Sequence, residues 1–261
     1  MNIAFLHSLQ GEWLKKRRSH AAWLVAVGAF FTSTVVVVAR LVRHRALEPL
    51  YAREDFWTQL WHSSWESMAI FFLPMGAVLA VSLITQLEYR NNAWKQVRTL
   101  PLGDATLFFS KLTVILLMMA QFLLLFSLGI WLSVLIPWIL VPGVPYPTAP
   151  LPYMDFLRDD LGYFLDCLPI VALQYLISLR FKSFLVPIGT GFVLWVGSLA
   201  ALSWHYGALI PYSYCMLDYL KDDASGKSAV PLVDIHAAAG AYCLLFIALG
   251  YWVFTTRKEK G

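Results

Sequence analysis

Six long apolar stretches constrain this chain most: windows 21–39, 66–87, 112–136, 161–179, 184–203 and 236–254. At 1.5 Å per residue, a 19-residue helix reaches about 28 Å, close to the hydrocarbon thickness of a bilayer. The runs are continuous, and 115–125 has Gln121 as its one polar residue. A transmembrane β-barrel would show segments of about ten residues with alternating polarity instead. Composition excludes the soluble alternative. Of 261 residues, 59% are hydrophobic and 14% charged, with a mean hydropathy of +0.63. An ordinary soluble domain carries about 25% charge. The expected fold class is all-α integral membrane, with six transmembrane helices in a single domain over 1–261. The first apolar run, about 19 residues long, exceeds the 7–15 of a removable signal peptide.

Positive charge sets the expected orientation. With six spans both ends share a side. Thirteen of the 20 Lys and Arg fall on the N-terminal side, at Lys15, Lys16, Arg17, Arg18, Arg90, Lys95, Arg98, Lys111, Arg180, Lys182, Arg257, Lys258 and Lys260. The positive-inside rule then places both termini in the cytoplasm. Arg40, Arg43, Arg45 and Arg53 run against this bias, as a snorkelling helix end or a patch facing anionic headgroups. The remaining outer segments are acidic, so the net charge of +4 gives no reason to expect nucleic acid as a partner.

Local patterns add detail. Ile3, Leu6, Leu9 and Trp13 repeat at helical spacing, which predicts an N-terminal amphipathic interfacial helix. In 88–111 (EYRNNAWKQVRTLPLGDATLFFSK), Ala93, Val97 and Leu100 share one helical face beside Trp94, and Lys95 and Arg98 share another. Pro101 ends that helix, Gly103 turns the chain, and Asp104 is the expected N-cap of the next one. The six prolines of 137–160 predict an outer loop, with the third span ending near residue 136. Aromatic residues crowd the outer side and read as an interfacial belt or as a vestibule for an amphipathic substrate. Residues assigned to that vestibule are Trp65, Glu66, Trp204, Tyr206, Tyr212 and Tyr214.

Catalytic chemistry is missing. The sequence has no HExxH, GxSxG or phosphate-loop motif. The six histidines have no i, i+4 partner, so no metal site is expected. Cys167 and Cys243 read as buried small hydrophobes. Glu66, Glu88 and Asp166 fall near predicted span ends, where an interfacial location is expected.

Two stretches then resemble a known family. EWLKKRRSHAAWL (12–24) is similar to the N-terminal signature of ABC-2-type permeases. The 88–111 stretch is similar to their coupling-helix region, most of all in the branch linked to lantibiotic and bacteriocin immunity. The resemblance implies a permease subunit that pairs with a second permease subunit, as homodimer or heterodimer, and binds two copies of an ABC ATPase. The coupling helix would span 91–100, with Trp94, Lys95, Val97, Arg98 and Leu100 at the ATPase and Pro101 closing it. Glu88, Tyr89 and Arg90 would form its hinge to the second span. Spans 2 and 5 would line the path, and a re-entrant helical hairpin would occupy about 204–217. This chain would bind no cofactor. ATP and Mg would sit in the partner ATPase, in the cytoplasmic membrane of a bacterium. Rival classes are a secondary transporter, a non-transporting sensor subunit and an intramembrane enzyme. The first would show charged midplane residues, and the last would show catalytic pairs inside the spans.

Overall fold

The computed structural model describes residues 3–17, 19–90, 102–181, 183–204, 206–222 and 234–256. The described residues are helical and contain no strand. Helices α1 (Ile3–Arg17), α2 (His20–Val42) and the short α3 (Leu47–Tyr51) open the chain. Next, α4 (Phe56–Ser67) and α5 (Leu73–Arg90) run on as one rod through a π-helical turn, Met68–Phe72. Then follow α6 (Asp104–Leu140), α7 (Tyr153–Arg180) and α8 (Leu185–Ala201). Two 3₁₀ turns, Gly207–Leu209 and Pro211–Ser213, lead into α9 (Tyr214–Asp222), and α10 (Ile235–Thr256) closes the described chain.

Among the described residues, five helices are long and apolar enough to cross a membrane: Ala21–Val42, Phe56–Leu87, Asp104–Leu140, Tyr153–Arg180 and Ile235–Thr256. Apolar α8 is shorter, at 17 residues. The protein is a multi-pass membrane protein. Its outermost helices show why. Trp23, Val27 and Val42 on α2 are 74%, 61% and 75% exposed, and Leu244 and Trp252 on α10 are likewise open. In water such stripes would be costly, but against acyl chains they are ordinary.

The core lies between α2, α5, α6, α7 and α10. On α2 and α6 the backbones approach so closely that a Cβ at Gly129 would collide with Ser33 Oγ. Small residues permit such approaches in membranes, where close packing replaces the hydrophobic effect between helices.

Several boundaries differ from expectation. The second helix begins at Phe56 rather than 66, so much of the expected 40–65 loop is helix. The third continues through Pro137 to Leu140. Proline deprives the carbonyl four residues earlier of its donor, and here Arg40 Nη1 donates to that carbonyl, Ser133 O, at 2.9 Å. The fourth helix starts at Tyr153, directly after the last proline, Pro152. At the start of α6, Gly103 is the N-cap and Asp104 the first helical residue, where its charge suits the helix dipole.

The N-terminal helix is present, but its inward face is polar. Glu12 and Lys16 are buried, while Ile3 and Leu14 are exposed. Glu12 pairs with Lys15 and faces Lys111 of α6 at 3.8 Å, and Lys16 donates to Gln121 of the same helix. Burial lowers the pKa of Lys16. The polar groups of α1 thus find partners on the long helix; Leu9 packs against the core, and Ile3 and Leu14 are left to the outside.

Candidate functional site

Three helices and the segment before α10 meet at one side chain. Gln174 on α7 is fully buried. Its amide nitrogen donates to Ser82 Oγ of α5 at 2.9 Å and to Pro187 O of α8 at 2.8 Å. Its amide oxygen accepts from the Tyr212 hydroxyl at 3.1 Å. Burial pushes the Tyr212 phenol up, which keeps it the donor. A buried amide in an apolar bundle needs such partners, because each unmet group costs about 1–3 kcal/mol. Beside this hub α5 and α8 touch. A Cβ on Gly191 would lie 2.6 Å from Val78 Cγ1 and 2.9 Å from Gln174 Oε1.

A second tie joins the same two helices. Pro74 lacks an N–H, so the Ile70 carbonyl loses its usual helical donor. The Trp195 indole of α8 donates to Ile70 O at 2.8 Å. This lies in the π-helical turn, a kind of irregularity that often marks functional positions. A third tie stands near the far end of α5. Gln86 donates to Phe181 O at 2.8 Å, in the connection between α7 and α8. So the rod of α5 and the π-helical turn before it, which leads into 91–101, is bonded to its neighbours at three levels.

The predicted site residues distribute as follows. Glu88, Tyr89 and Arg90 form the last turn of α5. Trp94, Lys95, Val97, Arg98, Leu100 and Pro101, with the coupling helix itself, lie outside the described residues. Of the vestibule set, Trp65 is buried and stacks on Tyr163 of α7 with ring centroids 3.8 Å apart. Tyr212 and Tyr214 are also buried, whereas Glu66, Trp204 and Tyr206 are exposed. Trp204 and Tyr206 contact edge to face at 5.3 Å. The structure therefore gathers Tyr212 and Tyr214 in the packed segment before α10, and leaves Trp204 and Tyr206 at the surface beside it.

The tryptophans of α4 bind elements together. Trp57, Trp61 and Trp65 recur every four residues and so share one face. Trp57 donates to Ala149 O at 3.0 Å, and Trp61 donates to Asp159 at 2.8 Å while stacking on Phe156 at 4.0 Å. Trp57 and Trp61 fasten α4 to the start of α7 and the residues just before it.

One charged cluster escapes sequence reading. Asp166 was expected near a span end, but it is fully buried within α7. It accepts from or faces His236 Nδ1 of α10 at 2.9 Å, and Asp218 Oδ1 of α9 lies 3.9 Å from His236 Nε2. Candidate ligand atoms of the three residues lie within 4.8 Å of one another, a spacing compatible with a shared divalent ion. With Lys221 at 3.6 Å from Asp218, the group closes as an ion-pair joint. Its members come from three elements, and 70 residues separate Asp166 from His236, so no local motif betrays them. Cys243, expected to be buried, is half-buried.

Comparison with known proteins agrees with this architecture. A family model described as ABC-2 family transporter protein matches residues 8–198. No curated protein matches the chain.

Proposed function

The chain belongs to the ABC-2 transporter protein family, and on that premise we propose that it is the membrane permease subunit of an ATP-binding-cassette transporter. It exports or expels an amphipathic substrate, such as an antimicrobial peptide, lipid or antibiotic. A separate ATPase hydrolyses the ATP, with its Mg. The observation that best supports this reading is the extent of the family match. Residues 8–198 include 91–101 and both long helices that flank it.

In this reading the whole chain forms one transmembrane domain, and α8, about 25 Å long at 1.5 Å per residue, is the fifth of six spans. Both termini face the cytoplasm of a bacterial cell. Two such subunits, alike or different, bind two ATPase copies. The 91–100 helix docks through Trp94, Lys95, Val97, Arg98 and Leu100, and the Glu88–Tyr89–Arg90 turn passes its motion to α5. Closure of the ATPase pair pulls on α5. Gln86 carries the pull to the α7–α8 connection, Gln174 to α7 and α8, and Trp195 to α8. Helices α5 and α8 then shift as a unit beside the path. Exposed Trp204 and Tyr206 offer an apolar, hydrogen-bonding surface to the amphipathic substrate on the outer side.

Co-purification tests the proposal. The solubilised chain should retain an ATPase encoded beside it, and Trp94→Ala with Arg98→Glu should lose it. An ATPase retained equally by the double variant removes the coupling-helix assignment. No ATPase retained by the wild type, with or without nucleotide, removes the transporter reading.

A further inference from the structure

Three of the four arginines that oppose the charge bias line a cavity. It measures about 690 Å³ and opens between the end of α2 and the start of α4, with α3 beside it. Sites for small ligands typically span about 300–1,000 Å³. Arg40, Arg43 and Arg53 contribute its charge. Val36, Leu47 and Leu60 are among its apolar walls. No carboxylate lines it. Glu48, Glu54 and Asp55 belong to the same loop but are exposed outside the lining.

Arg40 is the decisive residue. It is only 8% exposed. Its Nη1 holds Ser133 O and lies 3.4 Å from Ser133 Oγ, and its guanidinium faces the rings of Tyr51 and Phe56 at 5.5 and 5.3 Å. Among the described residues it has no carboxylate partner. Buried charges are normally paired, because an isolated one is expensive. Arg43 likewise has no acidic partner among the described residues, and Arg53 meets only the Gln59 amide, at 3.3 Å. Three cations, one of them buried, therefore line a cavity whose remaining wall is mostly apolar, at the membrane end of two spans. The charge sought is an anion, and the attached body is apolar.

We propose that this cavity binds an anionic phospholipid from the leaflet opposite the N-terminal helix. The phosphate sits among Arg40, Arg43 and Arg53, where planar guanidinium groups suit phosphate geometry. An acyl chain runs along Val36 and Leu60 toward the bilayer. The bound lipid wedges α2 against α4 and supplies the counter-charge that the protein does not give Arg40.

Native mass spectrometry and thermal unfolding of the full detergent-solubilised chain test this, with phosphatidylglycerol, phosphatidylcholine of the same tails, and inorganic phosphate as probes. The expected result is one retained phosphatidylglycerol per chain, with weaker retention of phosphatidylcholine. Arg43→Gln with Arg53→Gln should bind it roughly thirtyfold more weakly, from about 1 kcal/mol for each arginine near a headgroup. Arg45→Gln, which lies outside the lining, should bind as wild type. These exposed positions avoid the folding risk of altering Arg40. Equal retention of both lipids, or no effect of the double variant, overturns the site. If inorganic phosphate alone stabilises the wild type as much as phosphatidylglycerol, the ligand is a free anion and the lipid assignment falls. If the cavity instead proves covered by a second copy of the chain, so that lipid is excluded from the dimer, the proposal is likewise overturned.

Discussion

Pro74 and Pro137 each leave one carbonyl in a membrane helix without its donor, and a side chain from another helix replaces each. Trp195 serves Ile70 and Arg40 serves Ser133. In lipid there is no water to take that place, so each replacement lowers the cost of its proline. Trp195→Phe keeps the ring and removes the N–H. It should cost about 1–3 kcal/mol in unfolding, the price of one buried acceptor left unmet. Pro74→Ala restores the helical donor, so in that background Trp195→Phe should cost much less. An equal cost in both backgrounds would sink the explanation. The Asp166–His236 contact is partly wet, since the His236 side chain is 44% exposed. Asp166→Asn should therefore cost only about 1–2 kcal/mol, below the range for fully buried charged pairs. Combined with His236→Gln, the two losses should sum to less than their separate values. Simple additivity in chemical denaturation would show that the contact carries no energy.

Between elements, the contact of α5 with α8 is the tightest constraint. Gly191→Ala pushes a methyl into Val78, and Gln174 cannot retreat because three bonds hold it. A loss of about 1–3 kcal/mol is expected from overpacking, with part regained by adding Val78→Ala. A thermal melt of the three variants checks this, and a Gly191→Ala protein as stable as wild type would contradict it. The same contact shows what a sequence exposes and what it conceals. Apolar windows located the spans because length and hydropathy are local properties. The extension of α4 back to Phe56 was concealed, since FWTQLWHSSWES is too polar for a window. Its Trp57, Trp61 and Trp65 spacing was visible, but the partners that make it an inward face, Phe156, Asp159 and Tyr163, stand on another helix. Pro137 was read as a stop because its remedy, Arg40, is likewise remote. Gln174 carried no local signal, because a lone polar residue in an apolar run acquires meaning only from what it meets.

For the whole molecule, the six-span arrangement proposed above makes a sharp demand on α8. Short as it is, it must put its two ends on opposite sides. In a cysteine-free background, Ser183→Cys and Tyr206→Cys should react with an impermeant thiol reagent from opposite faces, and Glu54→Cys from the same face as Tyr206→Cys. Labelling of Ser183→Cys and Tyr206→Cys from one face would make α8 a re-entrant element and leave the termini on different sides. The replacement donors also fix an order of events during synthesis, which proceeds from the N-terminus. Arg40 precedes Ser133 by 93 residues, so it already stands in the bilayer when the helix with Pro137 arrives. Trp195 follows Ile70 by 125 residues. Until α8 has been made, the second helix carries an unmet carbonyl in hydrocarbon, and it becomes fully stable only when the fifth of the six apolar segments joins it. A chain interrupted before Trp195 thus leaves the ribosome with a marked defect at the helix that leads to 91–101, and an incomplete permease is distinguishable from a finished one by that single exposed oxygen.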